Sequence, residues 1–181
     1  GIVISDFVYG VVTPRILEVV QDLANTHDLM LFGDLQCSSQ VGSIIKFQNF
    51  TLLCPNEREA RLALQDKDSG LEQISQKLLK FTHAKQLVMK LGAAGFIAYD
   101  RDENNVIKSQ PFPALCVNPL DVAGAGDSLL ALFATGLASG QAIMPSAALA
   151  CCMAALAVDT MGNTPITADA LRKSLDEALE S

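Results

Sequence analysis

Short apolar segments alternate with segments of helical periodicity along this chain, and the alternation limits the folds open to it. Residues 2–6 "IVISD", 28–34 "DLMLFGD", 50–55 "FTLLCP" and 86–92 "QLVMKLG" are typical of buried strands. Strands that alternate with helices pair in parallel, and helices then cover both faces of the sheet. We therefore predict an α/β fold of three layers, α-β-α, around a largely parallel sheet.

Helix signals lie between these strands. Thr13 is a good cap residue and Pro14 suits a first helical position. The helix after Pro14 has its apolar stripe at Ile16, Val19, Val20 and Leu23, and later stripes fall at Leu71, Ile74, Leu78 and Leu79, and at Leu171, Leu175 and Leu179. Two short segments on either side of the polar turn "RDENN" predict a hairpin.

The stretch from Ser128 to Val158 contains no charged residue and so raises the question of a membrane. Gly136, Gly140 and Pro145 interrupt it and leave two apolar pieces, each too short to span a bilayer. We predict two buried core helices and no membrane partner.

Composition narrows the functional classes. The net charge of −7 argues against nucleic acid as a partner. The five cysteines form no C-x-x-C pair, which favours reduced thiols and a cytoplasmic protein. A length of 181 residues fits one domain, residues 1–181. Because the chain starts at Gly1 in mid-strand, we expect it to be part of something longer, whose missing half or a second copy is a partner.

The stretch "DVAGAGD" combines glycines with an acid at the start of an apolar helix. Gly124 and Gly126 let backbone N–H groups approach an anion, and the helix dipole adds about half a positive charge there. Asp127 is then placed to take a proton from a hydroxyl that attacks phosphorus. The alternative is that Asp127 only caps the dipole.

Asp121 followed by Gly124, Ala125, Gly126 and Asp127 resembles the signature of the ribokinase-like, or phosphofructokinase B, carbohydrate kinases. The resemblance covers the whole chain but only the second half of that family, without its N-terminal strands and lid. It implies ATP-dependent phosphoryl transfer to a sugar or sugar-phosphate hydroxyl, with Mg²⁺, residues 124–126 as anion hole and Asp127 as base. Val122 and Ala123 stand where the family usually has threonines.

Two further stretches match the family's nucleotide elements. Asn56 and Glu59 match an Asn-x-x-Glu element that organises magnesium and phosphate water, although the same spacing is a capping box. Gly92 and Gly95 match a turn that touches nucleotide phosphates, with Lys90 in place of the usual threonine. Lys90 is either a point charge for phosphate or a solvated lysine at a strand end.

The tail "CCMAALAVDTMGNTPIT" resembles the turn that closes over adenine. The resemblance also implies a monovalent cation such as K⁺ between this turn and Asp121, and Val158 and Gly162 could contribute carbonyls both to the adenine turn and to the cation. Simple core packing of Ala155, Leu156 and Val158 is the alternative.

"SDFVYGVVTPRIL" resembles the heptose-phosphate kinase branch, the kinase module of ADP-heptose synthases, through Asp6, Gly10, Thr13 and Pro14, and Asp34 matches that branch as well. Tyr9 and Gln36 replace lysines of the branch. We keep a second hypothesis open, a non-catalytic nucleotide-binding or assembly module derived from such a kinase. A Rossmann-type dehydrogenase is excluded because no G-x-G-x-x-G follows the first strand.

Overall fold

A computed structural model describes residues 1–36, 42–116, 119–162 and 164–180. The described residues form an α/β structure, as predicted. The strands are β1 Ile2–Asp6, β2 Leu31–Leu35, β3 Leu52–Leu53, β4 Gln86–Lys90, β5 Phe96–Arg101 and β6 Ile107–Phe112. The helices are α1 Pro14–His27, α2 Glu57–Leu64, α3 Leu71–Thr82, α4 Ala125–Ala138, α5 Ile143–Val158 and α6 Ala168–Glu180.

The strands form one sheet in the order β1-β2-β3-β4-β5-β6. β1 pairs with β2, β2 with β3 and β3 with β4, all in parallel, so the predicted parallel arrangement is confirmed. The register sets Ser5 beside Asp34, and Asp6 beside Leu35. The carboxyl ends of β1 and β2 therefore carry acids at one edge of the sheet, where open α/β sheets bind ligands.

The described part of the chain separates into two compact units. The first contains Gly1–Leu91 and Ile97–Gln110, and the second contains Gly92–Phe96 and Pro111–Ser181. The prediction of a single domain over residues 1–181 stays a prediction.

The core of the first unit is aromatic and aliphatic and lies against one face of the sheet. Phe47 and Phe50 stack with ring centroids 5.0 Å apart, and both are fully buried. A Cβ at Gly33 would lie 3.0 Å from these two rings and from Leu53. The absence of a side chain in the middle of β2 therefore lets the loop before β3 pack directly on the strand.

Helix α1 begins as predicted, but most of its apolar stripe is exposed. Thr13 caps it by accepting a hydrogen bond from the Ile16 N–H, and Pro14 is in its first turn. The buried residues are Leu17 and Ala24, whereas three members of the predicted stripe are exposed, Ile16, Val19 and Leu23. Val20, the fourth member of the stripe, is half-buried against the core, so the helix carries apolar residues on two sides, and periodicity alone does not select between them.

The second unit contains the two apolar helices, α4 and α5, and these end and begin around residues 139–142 as predicted. Their buried residues include Leu130, Phe133, Ala147 and Cys152. In α6 the predicted stripe is no deeper than half-buried, and Leu179 is exposed. No helix among the described residues is long and apolar enough to cross a membrane.

Candidate functional site

In the first unit, polar residues gather where β2, β3 and β4 end. Asp34 is the penultimate residue of β2, Asn56 follows β3, and Lys90 is the final residue of β4. Asn56 and Lys90 form a parallel β-bridge, and the Lys90 N–H donates to the Pro55 carbonyl at 2.8 Å. Because β3 lies between β2 and β4, these three ends are neighbours at one edge of the sheet.

Asn56 and Glu59 form the capping box that their spacing predicts. The Asn56 side chain accepts a hydrogen bond from the Glu59 N–H, and the Glu59 carboxylate accepts one from the Asn56 N–H, both at 2.8 Å. The Glu59 side chain is buried in this arrangement although it is an acid. The reciprocal bonds fix both side chains at the start of α2, which is compatible with a ligand role but does not require one.

Lys90 is neither solvated nor isolated. Its ammonium donates to both carboxylate oxygens of Asp34 at 2.8 Å each, and the Asp34 side chain is completely buried. Burial lowers the pKa of Lys90, but the charge and hydrogen bonds of Asp34, with smaller contributions from Cys54 and Glu59, raise that pKa above its ordinary value. The alternative of a solvated lysine at a strand end was therefore wrong, and the phosphate contact of Lys90 stays a prediction.

Sequence reasoning missed this ion pair and the thiol beside it. Cys54 is completely buried, and burial together with the nearby Asp34 carboxylate raises its pKa well above the ordinary range, while Lys90 opposes that shift. A second ion pair, between Lys46 and the buried Asp6, lies in the same unit at the end of β1. The only sequence signal for either pair is an acid at the carboxyl end of an apolar strand.

In the second unit, α4 begins where the glycines predict it. Gly124 is the cap residue with φ of 76°, a left-handed conformation that glycine adopts at little cost. Asp127 is in the first turn of the helix, and the Gly124 carbonyl accepts from the Ser128 N–H at 2.9 Å. The first N–H groups of a helix have no partner inside it, so this end presents backbone donors and a positive dipole end.

A cavity of about 390 Å³ opens at this helix end. Its wall combines polar and backbone groups with apolar side chains, and its lining includes Ala123, Gly124, Asp127, Ser128, Met153, Ala157, Gly162, Thr164 and Ile166. The cavity thus brings the predicted base, one of the predicted anion-hole glycines and one residue of the predicted adenine turn onto a single surface. Ala125, Gly126 and Val158 are not part of the lining.

Asp121 connects the loop before α4 to the turn after α5 through hydrogen bonds. One carboxylate oxygen accepts from the Ala123 N–H at 2.9 Å, and the other accepts from the Gly162 N–H at 3.1 Å. These two hydrogen bonds lower the pKa of Asp121. The Val158 carbonyl accepts from the N–H groups of Leu120 and Asp121. The groups predicted to hold a monovalent cation therefore have backbone partners, and the cation stays a prediction.

Gly92 and Gly95 bound a short turn before β5, where the Gly95 N–H donates to the Gly92 carbonyl at 3.0 Å. Both have positive φ, but their surroundings differ. A Cβ at Gly95 would lie 2.1 Å from the Phe112 carbonyl oxygen, whereas nothing lies within 4 Å of one at Gly92. Gly95 is thus required by packing, and the space beside Gly92 remains accessible.

The positions where the heptose-phosphate branch has lysines also differ in their surroundings. The Tyr9 side chain is exposed. Gln36 is half-buried, and its backbone N–H donates to the backbone carbonyl of Asp6. No group of three or more histidines, cysteines, aspartates or glutamates able to hold a metal ion occurs within the described ranges. Cys37 lies outside those ranges, and the other four cysteines are free thiols.

Known proteins resemble this chain over nearly its whole length. A family model described as pfkB family carbohydrate kinase matches residues 2–169. The chain is 32% identical over 175 residues to the bifunctional protein HldE of Campylobacter jejuni, which covers 95% of this chain and 36% of that protein. It is 30% identical over 170 residues to the bifunctional protein HldE of Trichlorobacter lovleyi, covering 92% of this chain and 33% of the relative. The chain thus spans about a third of the length of these relatives.

Solved structures show the same fold. Phosphofructokinase-2 from Escherichia coli, in complex with potassium, superposes with a TM-score of 0.79 at 18% identity, covering 97% of this chain and 56% of that one. Ribokinase from Arabidopsis thaliana, complexed with ribose and ATP, gives a TM-score of 0.75 at 24% identity, covering 90% of this chain and 53% of that one. The predicted ribokinase-like α/β fold is therefore confirmed, over about half the length of these neighbours.

Proposed function

We propose, since this chain belongs to the pfkB family of carbohydrate kinases, that the protein containing it transfers a phosphoryl group from ATP to a hydroxyl of a sugar or sugar phosphate. The observation that carries the proposal is the position of Asp127. It lies in the first turn of α4 and lines a cavity of about 390 Å³ together with the helix-cap residue Gly124. An acid is thereby combined with an anion-binding helix end on one wall.

Asp127 serves as the general base of this reaction. A hydroxyl that enters the cavity loses its proton to the Asp127 carboxylate as its oxygen attacks the phosphorus. A positioned general base contributes about 10²- to 10⁴-fold to the rate. The alternative role, a carboxylate that only stabilises the helix dipole, is worth about 0.3–1 kcal/mol of stability and nothing in rate.

The start of α4 supplies electrostatic stabilisation. Gly124 caps the helix in a left-handed conformation, and the first N–H groups of a helix have no acceptor within the helix itself, although the Ala125 N–H donates to the Val122 carbonyl at 3.4 Å. Negative charge grows on the oxygens of the phosphoryl group during transfer, and donors fixed before the reaction stabilise it without reorganising. These residues therefore act as the anion hole.

Asn56 and Glu59 fit an indirect role toward magnesium. Their oxygens are hard donors, and the capping box holds both side chains in place. Mg²⁺ keeps several of its waters and takes few protein ligands, so two fixed oxygens suit contact with a hydrated ion. When bound, the ion neutralises charge on the phosphates. Potassium at Asp121 stays a prediction, although the similar E. coli phosphofructokinase-2 was solved with potassium.

The same cavity provides an apolar wall for the nucleotide base. Met153, Ala157 and Ile166 line it, beside the backbone of Gly162. A flat heterocycle suits such a wall, because apolar side chains gain from covering it and backbone groups remain for its polar edge. We propose that adenine lies there, with Gly162 in the turn beside it. Gly92, in the turn before β5, leaves space for a phosphate.

The acceptor is a sugar phosphate of the heptose class. The support is the resemblance at Asp6, Gly10, Thr13 and Pro14, together with the similarity to the HldE proteins. Tyr9 and Gln36 carry no charge where that branch has lysines, so affinity for the acceptor's own phosphate is expected to be weaker than in the branch.

The test is Asp127→Asn in the full-length protein, assayed for phosphoryl transfer from ATP to sugar phosphates. The turnover number should fall by about 10²- to 10⁴-fold, while nucleotide binding persists. Asp169→Asn is a matched control because Asp169 is also an acid in the first turn of a helix of the same unit, α6, but is exposed. Unchanged turnover in Asp127→Asn would remove the assignment of the base.

A non-catalytic nucleotide-binding or assembly module is the second candidate. The uncharged Tyr9 and Gln36 favour it, because they remove positive charge expected near a phosphorylated acceptor. Nucleotide binding by the full-length protein, without transfer to any sugar or sugar phosphate, would support this candidate and contradict the kinase.

A further inference from the structure

The end of β3 is held from both sides. On one side the Cys54 N–H donates to the Gly33 carbonyl at 2.9 Å, and Gly33 precedes Asp34. On the other side the Lys90 N–H donates to the Pro55 carbonyl at 2.8 Å. β3 itself is only Leu52–Leu53, so the segment that leads into α2 has few bonds of its own.

The Asp34–Lys90 ion pair joins these two sides. The residues are 56 positions apart in sequence and belong to β2 and β4, the strands on either side of β3. Both oxygens of Asp34 accept from the Lys90 ammonium, so the contact fixes orientation as well as distance. The charges of both residues act on the buried Cys54 thiol, whose pKa Asp34 raises and Lys90 lowers.

Lys90 also lies next to the Asn56–Glu59 capping box. It forms a β-bridge with Asn56, and its ammonium interacts electrostatically with the Glu59 carboxylate. Asp34 is completely buried, and both of its carboxylate oxygens accept from the Lys90 ammonium, while one of them also accepts from the Leu35 N–H at 2.9 Å. Removing the cation from a buried carboxylate costs much stability, so we expect the Lys90 ammonium to stay paired with Asp34.

We propose that Asp34 and Lys90 are positioning residues, which clamp the end of β3 and so hold Asn56 and Glu59 in the geometry that the proposed kinase reaction needs. In this arrangement Lys90 acts through Asn56 and Glu59 rather than as a phosphate ligand. The structural part stands on the described contacts alone, and only the effect on catalysis rests on the proposed function.

The experiment compares four full-length proteins: the wild type, Asp34→Asn/Lys90→Met, Lys90→Arg and Asp6→Asn/Lys46→Met. The first double variant removes both charges of the pair together, so neither Asp34 nor Lys90 leaves the other as a buried unpaired charge. Arginine keeps the charge and can bind a carboxylate with two hydrogen bonds. The second double variant is the matched control, because it removes the neighbouring ion pair at the end of β1.

The first readout is hydrogen–deuterium exchange of the amides at residues 54–60, which needs no activity. In Asp34→Asn/Lys90→Met these amides should exchange about five- to tenfold faster, the effect of losing roughly one helix cap. Lys90→Arg and the control should exchange there as the wild type does. If these amides exchanged at the wild-type rate in Asp34→Asn/Lys90→Met, or equally fast in the control variant, the proposal that the ion pair clamps the end of β3 would be refuted.

The second readout separates KM for ATP from the turnover number. In Asp34→Asn/Lys90→Met, misplacement of Asn56 and Glu59 should raise KM for MgATP by about tenfold or more, with a smaller change in turnover number. Lys90→Arg should keep the wild-type KM. An unchanged KM in a variant with faster exchange would overturn the catalytic part of the inference. A wild-type protein without phosphoryl transfer would instead contradict the proposed function and leave the exchange result standing.

Discussion

Replacing Gly95 by alanine tests whether close backbone packing, rather than backbone conformation, makes this position glycine. An added Cβ would lie 2.1 Å from the Phe112 carbonyl oxygen, 2.7 Å from the Ala114 nitrogen and 2.8 Å from the Pro113 carbonyl carbon. All three are backbone atoms and cannot rotate away as a side chain would. The chain at residues 112–114 must therefore move, or the turn before β5 must open.

The movement has a further consequence within the same unit. Phe112 stacks on Phe96 with ring centroids 5.3 Å apart, and Phe96 meets the edge of Phe133 at 5.9 Å. A shift of the Phe112 backbone disturbs these contacts, each of which contributes about 0.5–1.5 kcal/mol beyond its burial. The replacement should therefore disturb the packing of α4, through Phe133, as well as the turn before β5.

Gly92→Ala provides the matched control. Gly92 has φ of +60° and Gly95 has φ of +90°, so both replacements impose a left-handed conformation on alanine, at about 1–2 kcal/mol. Nothing lies within 4 Å of a Cβ at Gly92, so that variant has no steric cost. Gly95→Ala adds about 1–3 kcal/mol for overpacking, which gives a total loss of roughly 2–5 kcal/mol.

The assay is chemical denaturation of the full-length wild type and both variants, followed by circular dichroism. The midpoints are compared with one common slope of unfolding free energy against denaturant concentration. Gly95→Ala should unfold at clearly lower denaturant than Gly92→Ala. Equal midpoints for the two variants would refute the reasoning, because they would mean that backbone conformation alone accounts for the cost.

Two further predictions concern titration. Hydrogen bonds from the Ala123 and Gly162 N–H groups lower the pKa of Asp121 below its ordinary 3.8, so the stabilisation by this carboxylate is complete above pH 3.8 and is lost as pH falls through the lower folded-state pKa. Denaturation midpoints between pH 6 and pH 2 (roughly the range in which carboxylates titrate) should fall more steeply for the wild type than for Asp121→Asn, and parallel curves would contradict the tie. Burial raises the pKa of Cys151 to about 11 and that of Cys54 further, so alkylation near neutral pH, read by mass spectrometry, should modify the half-buried Cys116 before Cys151 and Cys54. Faster modification of Cys54 in the folded protein would show that the end of β3 opens.

Local sequence determined the starts of α1 and α2. Thr13 with Pro14 and Asn56 with Glu59 make their bonds within one helical turn, so the residues that predict each structure are the residues that form it. The order of strands and helices was also local, because apolar segments of strand length between helices leave little choice but parallel pairing. The Gly124–Asp127 stretch, likewise, begins a helix through the conformation of one glycine.

Tertiary structure alone decided which distant residues meet. Nothing local to Lys90 indicates Asp34, which lies 56 residues away, or to Asp121 indicates Gly162, which lies 41 residues away. The buried side of α1 was also decided by packing, since Leu17 and Ala24 face the core although Ile16, Val19 and Leu23 form an equally regular stripe. A helix or strand presents its surfaces by its own periodicity, but burial depends on the neighbours that the sheet order brings against it, and those are separated in sequence by the whole length of the intervening elements.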